Sequence, residues 1–294
     1  MSPLRSLGAA LALFLSLGFF APARAEDSPD GRTALRLGGG LGLMNGGDLS
    51  RGFRGWLGLW EQLGSRWGVE TDLADGGSLW GPALSADVLF PLTSWLSFGM
   101  GAGRETAGVV FRSSAEGNGG LVPESQRIEI SPEAVPVRAG FFGRIRLTDV
   151  IDISLHAGAS YYYLARARVV YRREWEDYWE EDRYDLKASG LGYDGGLGVE
   201  LKLGRHLSVY LEGRASRAAL GEFTGKVGIS SSEGGEASRE GTLYVLDYGL
   251  GDGRTFTLVD VLSQPPSGPA FSRAEEAAVD FGGFGLAAGI LLRL

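Results

Sequence analysis

From Ala34 to the C-terminus, long stretches of the chain alternate apolar residues with small or polar ones, and a period of two marks a strand. The last stretch, Asp280 to Leu294, shows it best. Phe284, Leu286, Ala288, Ile290, Leu292 and Leu294 share one face, while Gly283, Gly285, Gly289 and Arg293 share the other. The apolar face is uncharged over about ten residues, enough for a tilted strand to cross a bilayer core. Seven upstream stretches repeat the pattern. Leu35, Leu37, Leu41 and Leu43 oppose Arg36, Gly38, Gly40 and Gly42 in the first, and Leu84, Ala86, Val88 and Phe90 oppose Ser85 and Asp87 in Pro82 to Leu92. Trp95 to Ala107 turns Leu96, Phe98 and Met100 outward against Ser97, Gly99, Gly101 and Glu105. Val135 to Leu147 places Val137, Phe141 and Ile145 opposite Arg138, Phe142, Arg144 and Arg146. Ile151 to Ala167, Leu191 to Leu203 and Leu207 to Ala215 continue in the same way, with Asp152, His156, Arg166, Asp194, Glu200, Lys202, Glu212 and Arg214 on the polar faces.

The connections alternate in length. Tight turns are expected at Thr93-Ser94, Thr148-Asp149 and Gly204-Arg205, and long loops at about 44–80, 108–133, 169–187 and 219–278. Short turns at one rim and long loops at the other are the arrangement of an even-stranded membrane barrel. The pattern therefore predicts an all-β fold, an eight-stranded antiparallel up-and-down transmembrane β-barrel over residues 34–294 with long extracellular loops. Within the first loop, Leu49, Phe53, Trp56, Trp60 and Leu63 recur at helical spacing behind Asp48, which predicts a short amphipathic helix capped by Asp48. Its apolar stripe could close the barrel mouth, lie at the lipid interface or bind a ligand. In the last loop, Thr242 to Tyr248 and Thr255 to Leu262 flank a glycine-rich turn and predict a hairpin, which raises the count to ten if it joins the wall.

Ahead of the barrel, Arg5, the apolar run Leu7 to Phe20 and Ala23-Arg24-Ala25 read as a signal peptide over residues 1–25, leaving 26–33 as a short N-terminal segment. Loss of Arg5 and Arg24 deepens the formal charge from −8 to −10, which argues against nucleic acid as a partner. The chain has 48 glycines and no cysteine, so thiolate metal sites, disulfides and cysteine nucleophiles are excluded.

The signal segment, the eight alternating stretches and the apolar C-terminal strand together resemble the small outer-membrane barrels represented by the OmpA transmembrane domain and the OmpX and OmpW families. The resemblance spans the mature chain and is architectural. It implies a bacterial outer-membrane location, contact with outer-membrane lipids and lipopolysaccharide, and recognition of Phe284, Leu286, Ile290, Leu292 and Leu294 by the barrel-assembly machinery. The chain departs from the family pattern by ending in Leu294 where an aromatic residue is usual.

The polar faces collect Arg36, Arg138, Arg144, Arg146, Arg166, Lys202 and Arg214 against Asp87, Glu105, Asp152, Asp194, Glu200 and Glu212. An eight-stranded lumen is narrow enough to be filled by side chains, and charges inside it must pair or stay hydrated. An ion-pair network that plugs the lumen is expected, with a narrow conduit for small, OmpW-like hydrophobic solutes as the alternative. Asp152, Ser154 and His156 lie two residues apart on one face, yet that face is the lumen, so His156 reads as a hydrogen-bonded lumen histidine and no enzymatic activity is expected. Gly99-x-Gly-x-Gly103 lies within a strand and reads as room for large lumen side chains rather than a phosphate loop. The acidic run Glu174, Glu176, Asp177, Glu180, Glu181 and Asp182 lacks calcium-loop spacing. With Trp175, Tyr178 and Trp179 it reads as a solvated or partner-binding loop. No cofactor or metal is expected, and the role expected is structural or one of surface interaction with an extracellular ligand through the loops.

Overall fold

The computed structural model describes residues 32–74, 77–116, 122–251 and 253–294. The expected signal peptide, and the N-terminal segment up to residue 31, lie outside the described residues.

Alternation produces strands where it was expected and also where loops were expected. In order the elements are β1 (Ala34–Met44), α1 (Gly47–Arg66), β2 (Glu70–Ala74), β3 (Leu79–Pro91), β4 (Leu96–Thr106), β5 (Val109–Glu116), β6 (Ser125–Arg146), β7 (Ile151–Glu174) and β8 (Trp179–Lys202). There follow β9 (Leu207–Arg217), β10 (Ala219–Leu220), β11 (Thr224–Ser231), β12 (Glu236–Gly249), β13 (Thr255–Leu262), β14 (Phe271–Glu276), β15 (Val279–Asp280) and β16 (Gly283–Arg293). Among the described residues sixteen strands stand in place of the eight expected, because most of the presumed loop residues keep pairing.

The pairings close a ring, all antiparallel: β1 with β3, β3 with β4, β4 with β6, β6 with β7, β7 with β8, β8 with β9, β9 with β16, and β16 back to β1. The β3–β4, β6–β7 and β8–β9 turns are short and lie at one end, here the lower rim. Two of them are braced by a threonine, with Thr93 Oγ1 accepting from Leu96 N–H and Thr148 Oγ1 from Ile151 N–H, both at 3.0 Å. Around the ring the apolar faces point outward. Leu197 is 60% exposed and Leu286 65%, fractions that would be costly in water over so wide a belt and that suit lipid.

The longest strands, β7 and β8, have 24 residues each. At about 3.3 Å per residue that is roughly 80 Å of contour, well beyond the ~30 Å of a bilayer core. They rise past the belt, and β11 continues the sheet from the upper half of β8, followed by β12 with β13 and β14. The expected hairpin in the last loop is β12–β13, and it extends this upper sheet without entering the ring. Inside the upper sheet lies the main apolar core, where Leu49, Phe53 and Leu57 of α1 meet Ile128, Tyr171, Leu186 and Val259. The Phe53 ring packs edge-on against Tyr184 at 5.4 Å and Tyr171 at 6.4 Å.

Helix α1 therefore closes the mouth, one of the three roles open to it. It rests directly on β13: a side chain at Gly52 would strike Val259, one at Gly55 would strike the Thr257 carbonyl, and Trp56 Nε1 donates to Val259 O at 3.0 Å. The expected cap is corrected. Gly46, in the left-handed region at φ 75°, is the N-cap without a side-chain bond. Asp48 sits in the first turn and accepts the Ala278 N–H at 3.0 Å, which ties the helix to the end of the upper region.

A bulge between Tyr162 and Ala165 changes the parity of β7 alone. Below it the even residues face in; above it Ala165, Ala167, Val169 and Tyr171 are the buried ones. Arg166 therefore leaves the lumen face.

Candidate functional site

The lumen charges converge on Glu212, contributed by β9 and 1% exposed along its side chain. Its carboxylate accepts from Arg36 of β1, from Arg214 two residues along its own strand, and lies 3.2 Å from His156 Nδ1 on β7. The other nitrogen of His156 lies 3.1 Å from Asp194, which also accepts from Ser160 Oγ at 2.6 Å. His156 thus bridges two carboxylates, and both nitrogens can donate only when the ring is doubly protonated. Arg36 is further held over the Tyr210 ring at 3.9 Å and near Phe142 at 5.4 Å, and Phe142 stacks on His156 at 5.3 Å. A cation so enclosed keeps attractive contacts on its faces as well as its edges.

A second group gathers toward the lower rim. Asp152 accepts from Lys202 at 2.9 Å and faces Arg144 at 3.5 Å. Glu200 pairs with Arg293, which also donates to Ser208 Oγ at 2.7 Å. Arg138 reaches Asp87 at 3.3 Å. Ala34, Leu89 and Leu291 form a small apolar cluster against Phe142. Beside these groups lie cavities of about 90, 60 and 10 Å³, where about 10–15 Å³ on the same measure admits one water. Glu105 lines the largest with Arg138, Ser160, Tyr162, Asp194 and Arg214.

Of the expected lumen residues, Arg36, Asp87, Arg138, Arg144, Asp152, Asp194, Glu200, Lys202, Glu212 and Arg214 are brought together, and Glu105 faces the cavity beside them. Arg146 is exposed at the lower rim. Arg166 is a correction: above the bulge it points out and pairs with Asp185. Arg293, on the polar face of β16, supplies a cation that the expected network left out. Phe284, Leu286, Ile290, Leu292 and Leu294 share the outer face of β16, Leu294 being 73% exposed.

The Asp152, Ser154 and His156 trio is not assembled. His156 is committed to Asp194 and Glu212, Asp152 to Lys202 and Arg144, and Ser154 Oγ is buried without a hydrogen bond. The glycines of Gly99-x-Gly-x-Gly103 do make room for lumen side chains, since a Cβ at Gly99 would strike Phe142 and one at Gly101 would strike Asp87.

Outside the ring the charges are organised differently. The acidic run is no loop: it lies on β7, β8 and their turn, with Glu174 on Arg172, Glu180 and Asp182 on Arg173, and Glu181 on Arg183. Burial pushes the Asp182 and Asp260 carboxyls above the usual carboxylate range, against the pull of Arg173 and Arg239 respectively. The hydrogen bonds from Arg166 hold Asp185 below that range.

No family model matches the chain, and no curated protein matches its sequence. Among solved structures it is similar to the outer membrane protein OprG from Pseudomonas aeruginosa, at 10% identity and a TM-score of 0.35 over 91% of this chain and 99% of that one. It is also similar to the outer membrane protease OmpT from Escherichia coli, at 9% and 0.33 over 91% and 98%. A third is the transport unit of the autotransporter AIDA-I from the same organism, at 10% and 0.23 over 97% of each chain. The chain has the fold of outer-membrane β-barrels. That rests on its closed ring, apolar outside and charged inside; likenesses this distant transfer no role. One expectation is corrected by them: a barrel protease stands among the neighbours, so the expected lack of enzymatic activity is withdrawn.

Proposed function

We propose that the ring of eight strands, β1, β3, β4, β6, β7, β8, β9 and β16, spans the outer membrane as a plugged barrel whose role is carried by the folded region above it. The observation that carries this is the Glu212 hub, which ties β1, β7 and β9 across the lumen. A structure so tied serves as an anchor, and the upper sheet with α1 inside it becomes a rigid platform for a structural or surface-interaction role. In this reading residues 1–25 direct export and are removed, the outer face of β16 is read by the assembly machinery, and the belt contacts outer-membrane lipids and lipopolysaccharide. The short turns lie on the periplasmic side. Single-channel recording in planar bilayers is the test: no stable, large conductance is expected, and such a conductance would replace the plug by the conduit reading. Detergent-extracted protein should migrate differently on a gel before and after boiling; identical migration would remove the barrel from the membrane.

A further inference from the structure

The β7–β8 hairpin ends in the turn Glu176-Asp177, closed by Trp175 N–H to Tyr178 O at 2.7 Å. The rings of Trp175 and Tyr178 pack against each other, 5.5 Å apart with their planes at 46°. Trp60 of α1 lines the same shallow cleft, which is open to solvent. The charges in it are unequal. Arg173 is occupied by Glu180 at 3.1 Å and Asp182 at 2.8 Å, and Tyr178 Oη donates to Glu180 at 2.8 Å. Glu176 and Asp177 are exposed on the turn, so the cleft is aromatic and carries uncompensated negative charge.

That combination selects among ligands. An anion is repelled, and an apolar group would cover carboxylates with nothing to pair them. Aromatic faces beside carboxylates suit a cation that sheds water easily, as an alkylated ammonium does. We propose that this cleft binds a small organic cation with a quaternary or methylated ammonium head, of which choline is the simplest probe. The proposal deepens the surface-interaction reading and rests on it for the outward position of the hairpin tip.

The test is titration of the full-length protein with choline chloride in a polyoxyethylene detergent, which bears neither sugar nor ammonium. Binding is read from line broadening of the choline methyl resonance. Saturable binding in the millimolar range is expected. Trp175→Ala and Tyr178→Ala should each weaken it about five-fold, at the ~1 kcal/mol scale of a cation–π contact, while Trp175→Phe largely retains it. Glu176→Gln combined with Asp177→Asn should weaken it several-fold and reduce its salt dependence. Equal binding of glucose, or unchanged choline binding by the Ala variants, overturns the assignment, as does the absence of saturation. Heat-dependent gel migration of each variant shows that the barrel is intact. Because the chain has no cysteine, Asp177→Cys labelled by an impermeant maleimide on intact cells tests the outward position separately. Failure of labelling with binding retained sinks the surface reading and leaves the cleft standing.

Discussion

The lower and upper halves of β8 obey opposite rules. Below, Leu197, Val199 and Leu201 face out and Glu200 and Lys202 face in; above, Arg183, Asp185 and Lys187 face out and Tyr184 and Leu186 face in. The strand keeps its parity throughout, so the backbone does not turn over. What changes is the medium outside it, lipid below and water above, and the apolar side follows the medium that will not compete for it. On β6 the same exchange occurs near Pro136, between Ile130 facing in and Phe141 facing out. β7 meets the requirement by another route, inserting a residue so that odd positions take over the interior.

That contrast can be broken at several points. The largest effect is expected from Ala167→Asp, which puts an unpaired charge into the upper core at a position flanked by Arg166 and Arg168, both of which face out. Hydrogen exchange should show the upper region unfolded while the ring still migrates as a folded barrel; an upper region that stays protected would refute the parity account. Next comes Phe53→Ala, which leaves a hole among fully buried rings and should cost the upper region about 3–5 kcal/mol by denaturant titration. Leu197→Ala on the lipid face, the matching truncation below, should cost much less. Glu212→Ala strands Arg36 and Arg214 in the lumen and should cost the ring a comparable 3–5 kcal/mol, read as a lower temperature of gel-shift conversion. Restored stability in Arg36→Met combined with Glu212→Leu would show that the penalty is the orphaned charge.

The smallest effect is the pH response of the upper region. Asp185 is held low by Arg166, so its contribution is present above the ordinary aspartate range and is lost as the pH falls through its lowered value. Asp185→Asn should therefore cost under about 1 kcal/mol at neutral pH and nothing in acid, since the pair is partly exposed. Asp182 and Asp260 have the opposite sign. Raised by burial, they contribute most below the ordinary range and lose that contribution as the pH rises through their raised values. Carboxyl carbon NMR titrations should place Asp185 below both; the reverse order would refute the assigned causes.

Much of this was legible in the alternation of residues. The members of the ring, the direction of every lumen side chain below the bulge and the existence of α1 all follow from periods of 2 and 3.6. The upper halves of β7 and β8 read as a loop over 169–187 because Arg172, Arg173, Glu180, Asp185 and Lys187 look like solvated sequence. The alternation had continued with its polarity reversed, and density of charge hid it. Arg166 leaves its expected face because of one extra residue in the strand, which has no compositional mark. The partners of His156 were out of reach for a different reason: Asp194 and Glu212 lie on other strands, and only the register brings them within hydrogen-bonding distance.

The pairing of β7 with β8 is continuous from Ile151 opposite Leu201 to Glu174 opposite Trp179, interrupted only at the bulge. The tip is therefore the end of a mast stepped in the wall itself. A load applied there travels down one ladder of hydrogen bonds to the rim of short turns, and the bulge is the one break it must cross.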